Sequence, residues 1–212
     1  RKRDRRTFEA LLRAGVDLQA ECDDREMYDF AGKTPLICAL EWGETEIAEM
    51  LLRAGADPDR RTSKGMAPFA AWIDRGCRIS DGMERYAPLL ALFEQKGWHP
   101  DAPQTSKDER ALMLVCQHDD YELALWTLRR LLDRKVEVNA RDAMGRMALM
   151  HLLGHGSAGP YQSEMLERLL EAGADPCASD SKGRTVLHYV ADGYSHAAMR
   201  EAAEMLFDFG QP

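Results

Sequence analysis

One phrase is written five times along this chain. "DFAGKTPLICALEWG" begins at Asp29, "TSKGMAPFAAWIDRG" at Thr62, "TSKDERALMLVCQHD" at Thr105, "DAMGRMALMHLLGHG" at Asp142 and "DSKGRTVLHYVADGY" at Asp180. The starts lie 33, 43, 37 and 38 residues apart. A second phrase follows four of them: "LLRAGADPD" at Leu51, "LFEQKGWHPD" at Leu92, "LLDRKVEVN" at Leu131 and "LLEAGADPC" at Leu169. An isolated "LLRAGVDLQ" at Leu11 precedes them, and "MLFDFGQP" comes last. Such a period implies small units that cannot bury their apolar faces alone and must stack into one continuous core.

The residues of one unit say what it folds into. Pro35 suits a first helical turn, where its missing N–H is not needed, and Thr34 can cap that helix. Leu36, Ala39 and Leu40 form an apolar stripe at helical spacing, as do Ile47, Met50, Leu51 and Leu52 on a second helix. Gly55 stands where that helix must end in a left-handed turn, and Pro58 prevents its continuation. Small residues at Ala39 and Ala71 let the paired helices approach closely.

Residues Asp29–Arg61 resemble the ankyrin repeat nearly position for position, and the last segment keeps Gly183, Thr185, Leu187 and His188 of the same pattern. Asp108, Arg110 and Ala111 replace the Gly and Thr-Pro of the pattern in the third segment. The resemblance covers essentially the whole chain and implies an all-α solenoid of stacked helix-turn-helix units with β-turn fingers. The expected organisation is a single domain over 1–212: a partial repeat at 1–28 and repeats at 29–61, 62–104, 105–141, 142–179 and 180–212. In this family His188 would hydrogen-bond between neighbouring repeats.

Repeats beyond the first exceed 33 residues. "GCRISDGMERYAPLL", at 76–90, and "GHGSAGPYQSEM", around 154–162, carry the extra residues as insertions. "DDYELALWTLRRLLDRK" has no helix breaker, so its extra residues predict one more helical turn. The long connection "AECDDREMYD" predicts an enlarged acidic finger. Insertions in repeat proteins often map to a functional face.

No constellation of catalytic residues emerges. His151 and His155 stand i,i+4, a metal-ligand spacing, but Leu152 holds the place of the glutamate a zinc protease needs, and no third ligand is evident. Five cysteines, Cys22, Cys38, Cys77, Cys116 and Cys177, are scattered with no C-x-x-C pair, as expected of reduced thiols in the cytoplasm. Cys38 and Cys116 fall on inner stripes and read as core. "GHGSAG" lacks the G-x-S-x-G pattern, and no phosphate-binding glycine loop occurs. The expectation is a non-enzyme with no cofactor and no metal.

A net charge of −8 disfavours nucleic acid and anionic membrane as partners, and no apolar run is long enough to predict membrane insertion. The run "RKRDRR" at the start reads as a solvated helix or frayed end. Arginines number 21 against seven lysines, a weak sign of a GC-rich bacterial genome. The first residue is not Met, which leaves room for a targeting segment upstream.

The resemblance implies binding of another protein through finger tips and the exposed side of each first helix. Carried across, those positions are Phe30, Lys33 and Trp42; Lys64, Met66 and Arg75; Lys107; Met144, Arg146 and His155; Lys182 and Arg184. Each finger carries a basic residue although the chain is acidic, so the expected partner presents an acidic surface or segment, with Phe30, Trp42, Met66 and Met144 as apolar anchors. Two function classes follow. One is a free-standing interaction module, such as a bacterial immunity, accessory or effector protein. The other is a targeting domain that recruits substrate to an enzyme outside this chain.

Overall fold

The computed structural model describes residues 9–22, 31–76, 83–154, 160–193 and 196–209. Predicted features that fall on 1–8, 23–30, 77–82, 155–159, 194–195 and 210–212 lie outside the described residues. These include the tip of the acidic finger, most of the glycine-rich insertion, Phe30 and His155. The chain groups into two compact units, residues 1–98 and 99–212. Among the described residues the regular structure is helical, and the extended pairs are two isolated bridges, Cys22 with Ala31 and Ser179 with Thr185. None of these helices is long and apolar enough to cross a membrane.

In the first unit, residues 9–13 (α1) are helical, and α2 (Pro35–Glu41) and α3 (Thr45–Ala54) form a hairpin. The Thr34 hydroxyl caps α2 by accepting from the Ile37 amide at 3.4 Å, and Pro35 fills the first turn. Gly55 ends α3 at φ 104°, so the predicted stop is real. Leu36, Leu40, Ala48, Leu51 and Leu52 are buried between and behind the two helices.

The second repeat begins with a short helix α4 (Pro68–Ala71) that widens into a π turn over Trp72–Gly76; α5 (Met83–Gln95) returns along α3. The widened turn sits inside an aromatic core. Phe69 stacks on Trp98 at 4.4 Å and meets Trp72 edge-on at 5.6 Å, while Trp72 and Phe93 lie 6.1 Å apart. The indole N–H groups of Trp72 and Trp98 are buried there without hydrogen-bond partners among the described residues, a cost that aromatic packing must offset.

The second unit is a two-layer stack. First helices α6 (Ala111–Val115), α8 (Ala148–Gly154) and α10 (Val186–Gly193) pack in one row. Second helices α7 (Tyr121–Asp133), α9 (Pro160–Glu171) and α11 (His196–Phe209) pack in the other. Helix α7 runs 13 residues against 10 in α3, which is the extra turn expected of its unbroken sequence.

Backbone conformation repeats with the sequence period. Finger turns place Gly32, Gly65, Asp108, Gly145 and Gly183 at positive φ, and second-helix ends do the same with Gly15, Gly55, Gly97, Lys135 and Gly173. Asp108 and Lys135 hold φ 58° and 56° without being glycine, so the fold imposes the turn even where the sequence lost its usual residue.

Candidate functional site

In the second to fifth repeats each finger is a tight turn whose first residue, Thr62, Thr105, Asp142 or Asp180, is a hydrogen-bonding hub. In the fourth repeat the Asp142 amide donates to the Arg146 carbonyl at 2.9 Å, and the Gly145 amide donates back to the Asp142 carbonyl at 2.9 Å. The Asp142 carboxylate then accepts from the amides of Met144 and Arg146, both at 2.8 Å, and from Arg146 Nε at 2.8 Å. His151 Nε2 stands 3.1 Å from the same carboxylate. The fifth repeat copies this. Asp180 accepts from the amides of Lys182 and Arg184, from Arg184 Nε at 2.9 Å and from the Tyr189 hydroxyl at 2.7 Å. The Arg184 guanidinium also lies 4.7 Å over the Tyr189 ring.

Burial pushes both carboxyls up, but the hydrogen bonds outweigh it. His151, Arg146 and Met144 hold Asp142 well below the usual carboxylate range, and Tyr189, Arg184 and Lys182 do so for Asp180. Burial and the hydrogen bond to Asp180 push the Tyr189 hydroxyl up to about 12. The spacing Asp-x-x-x-Arg with His or Tyr five residues further on is plain in both phrases, yet sequence reading treated Arg146 and Arg184 only as fingertip charges.

Two positions per finger therefore differ in kind. Four residues after the hub, the cations are bound within the protein: Lys33 pairs with Glu41 at 2.5 Å, Arg146 with Asp142 and Arg184 with Asp180. Met66 at the same position is half-buried, and Glu109 is buried. Two residues after the hub stand Lys64, Lys107, Met144 and Lys182, all exposed. The Lys64 ammonium donates to the Ala31 carbonyl at 3.2 Å. Lys107 and Lys182 have no ion pair among the described residues.

Backbone bonds join neighbouring fingers of the second unit. The Ala143 amide donates to the Lys107 carbonyl at 2.8 Å, and the Ser181 amide donates to the Met144 carbonyl at 3.0 Å. Lys107, Met144 and Lys182 are thus held in register on three successive fingers, with Met144 39% exposed between the two ammonium groups. In the first unit Trp42, at the end of α2, is 59% exposed. Arg75 lies in the π turn, and its side chain is outside the described residues, as are Phe30 and His155.

His151 sets its imidazole Nε2 3.1 Å from the Asp142 carboxylate, and its i,i+4 neighbour His155 lies outside the described residues. One expectation needs correction. Among the described residues His188 is bonded inside its own repeat, not across to a neighbour: Nδ1 accepts from the Thr185 amide at 3.1 Å and lies 2.8 Å from its hydroxyl, an N-terminal helix contact. Among the described residues, Glu109, Asp142 and His151 bring one ligand-type atom each within 4.8 Å of one another. The Arg146 guanidinium occupies that space, 2.8 Å from Asp142 and 3.8 Å from Glu109, so the cluster is neutralised by an arginine rather than built to receive a metal.

Residues 31–63 match the family model described as the ankyrin repeat. Among curated proteins the chain is similar to human "Ankyrin repeat and SOCS box protein 6", 27% identical over 207 residues that make up 96% of this chain. It spans only 37% of that relative's length. Among solved structures it is similar to an ankyrin repeat domain from Acinetobacter baumannii AYE, with TM-score 0.74 and 22% identity, covering 99% of this chain and 94% of that one. A second ankyrin repeat protein aligns with TM-score 0.71 and 21% identity, covering 97% and 92%.

Proposed function

Because this chain is an ankyrin-repeat protein, we propose that it is a non-enzymatic module that binds one partner protein through its fingertips and exposed first-helix residues. Ankyrin repeats are generally protein-interaction modules, and their fold is typically a non-catalytic scaffold. The observation that carries the finer reading is the division of the finger cations. Arg146 and Arg184 are spent on buried aspartates, whereas Lys182 on the Arg184 finger and Lys107 on the third finger are exposed without ion pairs among the described residues. An ammonium held in register beside an exposed methionine suits a partner segment with carboxylates and an apolar side chain. The partner-binding set is Lys64, Lys107, Met144 and Lys182, with Trp42 and Met66 on the first unit; Lys33, Arg146 and Arg184 support the fingers. Phe30, Arg75 and His155 stay in the set from sequence alone. In a bacterial cytoplasm this binding would serve an immunity, accessory or effector role.

A second reading has one observation in its favour. The human relative is far longer than the segment it shares with this chain, as expected if such repeats recruit substrates for a larger enzyme.

The test is a quantitative pull-down with the wild-type chain, a Lys64→Glu/Lys107→Glu/Lys182→Glu variant and an Arg146→Glu variant as baits. The proposed reading expects one protein captured by wild type and lost by the triple-lysine variant, whose helicity and denaturation midpoint stay those of wild type. Equal capture by both would sink the fingertip reading.

A further inference from the structure

The fingers of the second unit are tied to one another by more than helix packing. The Ala143 amide donates to the Lys107 carbonyl, and the Ser181 amide donates to the Met144 carbonyl. Arg110 spans the first of these joints, its guanidinium donating to the carbonyls of Asp108 at 3.1 Å and Arg141 at 2.8 Å. Arg141 does the same one finger on, donating to the carbonyls of Gly145 at 2.9 Å and Ser179 at 2.7 Å. Backbone bonds and bridging guanidinium groups thus join the fingers at 105–109, 142–146 and 180–184 into one continuous edge.

Lys107, Met144 and Lys182 hold the same place on that edge, and all three are exposed. Lys107 and Met144 are exposed with a following finger bonded beside them, so exposure belongs to the position itself. Packed helices lie about 8–10 Å apart, and fingers that lead into a row of first helices share that step. A ligand must present side chains on one face at the same step. A β-strand offers them about 6.6 Å or about 13 Å apart and misses it. Polyproline II has three residues per turn and a rise of about 3.1 Å, so its same-face side chains recur at about 9 Å. An α-helix reaches the step only at every seventh residue and keeps its carbonyls bonded internally, whereas polyproline II leaves them free. Exposed Arg141 spends only Nη1 on the fingers among the described residues, which leaves donors for such carbonyls.

Resting on the fingertip reading above, we propose that the partner meets this edge as a short polyproline II segment of pattern acidic-x-x-apolar-x-x-acidic. Its two carboxylates pair with the ammonium groups of Lys107 and Lys182, and its central apolar side chain packs on Met144. Such a segment is stiff before it binds, and the edge is already bonded in register, so little ordering opposes association. The charges set the register, and the methionine contact selects an apolar residue at the centre.

Fluorescence anisotropy of the full chain with labelled, end-capped peptides at low salt is the test. The probe is Glu-Pro-Pro-Leu-Pro-Pro-Glu, and a second peptide, Glu-Pro-Leu-Pro-Pro-Pro-Glu, keeps its composition but moves the leucine. The expected result is saturable binding of the probe, weaker by about tenfold when the leucine is displaced. Lys107→Glu and Lys182→Glu should each weaken it by about tenfold with unchanged circular dichroism. Lys182→Glu should regain binding to a probe whose last Glu is replaced by Lys. Equal binding of the two peptides would mean attraction without register and overturns the motif, as does no binding into the millimolar range. A helical peptide with Glu, Leu and Glu at every seventh residue that binds more tightly overturns the assigned conformation. Failure of the fingertip reading itself looks different, because the pull-down partner is then captured equally by wild type and the triple-lysine variant. Capture that is lost with the lysines, joined to absent peptide binding, leaves that reading standing and rejects the linear segment.

Discussion

Tyr189 donates its hydroxyl to Asp180 at 2.7 Å, nine residues back in the chain, and His151 meets Asp142 across the same nine-residue separation at 3.1 Å. Both pairs tie the first helix of a repeat to the hub of its own finger. Arg146 and Arg184 complete the arrangement, which holds the turns that carry Met144 and Lys182 in place.

Removal of the Asp142 carboxylate should cost more than removal of any fingertip lysine. Its side chain is fully buried, and without it the Arg146 guanidinium and the His151 ring lose their shared acceptor. Asp142→Ala is expected to lower stability by roughly 3–5 kcal/mol, whereas Tyr189→Phe, which deletes one hydrogen bond, should lower it by about 1 kcal/mol. Urea denaturation followed by helical circular dichroism checks both. A loss below that of Tyr189→Phe for Asp142→Ala would contradict the hub role.

Acid should attack the same hubs. Asp142 and Asp180 both sit well below the ordinary carboxylate range when folded, while the unfolded chain titrates near pH 4, about the model-peptide value. A carboxyl lowered on folding contributes stability that is present above its unfolded pKa and is lost as pH falls toward its folded value. The stability of wild type should therefore drop steadily below about pH 4. Asp142→Asn, which cannot titrate, should show a shallower acid limb in denaturation midpoints measured at successive pH values.

Alkali reports on the partner. Burial and the bond to Asp180 raise the Tyr189 hydroxyl to about 12, so its folded pKa exceeds the unfolded value of about 10. That contribution to stability is complete below the unfolded pKa and disappears as pH climbs through the folded one. Spectrophotometric titration near the tyrosinate absorption band should show a late phase that Tyr189→Phe removes. A titration of Tyr189→Phe with the late phase intact would assign it to another of the six tyrosines.

The helix pairs and turns were legible because their signals are local. Thr34 and Pro35 start a helix, Gly55 and Pro58 stop one, and each acts within a few residues of itself. The fingertip charges were legible as residues but not as surfaces. Whether a cation is free depends on a carboxylate four residues back being buried, and that is decided by the helix packed over it. Asp108 stands where the pattern has Gly, and only the structure shows that it keeps the left-handed conformation. The Phe69–Trp98 stack joins residues far apart in sequence, so no short window contains it.

Two glycines separate backbone strain from crowding. At Gly145, φ is +74° and an added Cβ would lie 2.6 Å from the Ser181 hydroxyl and 2.8 Å from its amide nitrogen, the group that bonds the neighbouring finger. At Gly173, φ is +91° but nothing lies within 4 Å. Gly173→Ala should cost roughly 1–2 kcal/mol from the left-handed conformation alone, and Gly145→Ala clearly more. The converse change, Asp108→Gly, should stabilise by about 0.5–1 kcal/mol, the relief of strain less the extra entropy of glycine. Equal losses for the two alanine variants would show that the fingers can separate freely.

The thiols should react in an order set by packing. Cys177 is exposed in the turn after α9; Cys38 is half-buried, and burial raises its pKa; Cys116 is wholly buried and burial raises it further. Since the thiolate is the reactive form, burial at Cys38 and Cys116 reduces both access and deprotonation. Iodoacetamide labelling with peptide mapping should modify Cys177 first, Cys38 slowly, and Cys116 only when urea unfolds the second unit. The rate at Cys116 then measures opening of the α6–α8 packing and should rise in Asp142→Ala, whose lost hub lies directly before α8. An unchanged rate would show that the hub and that packing are uncoupled.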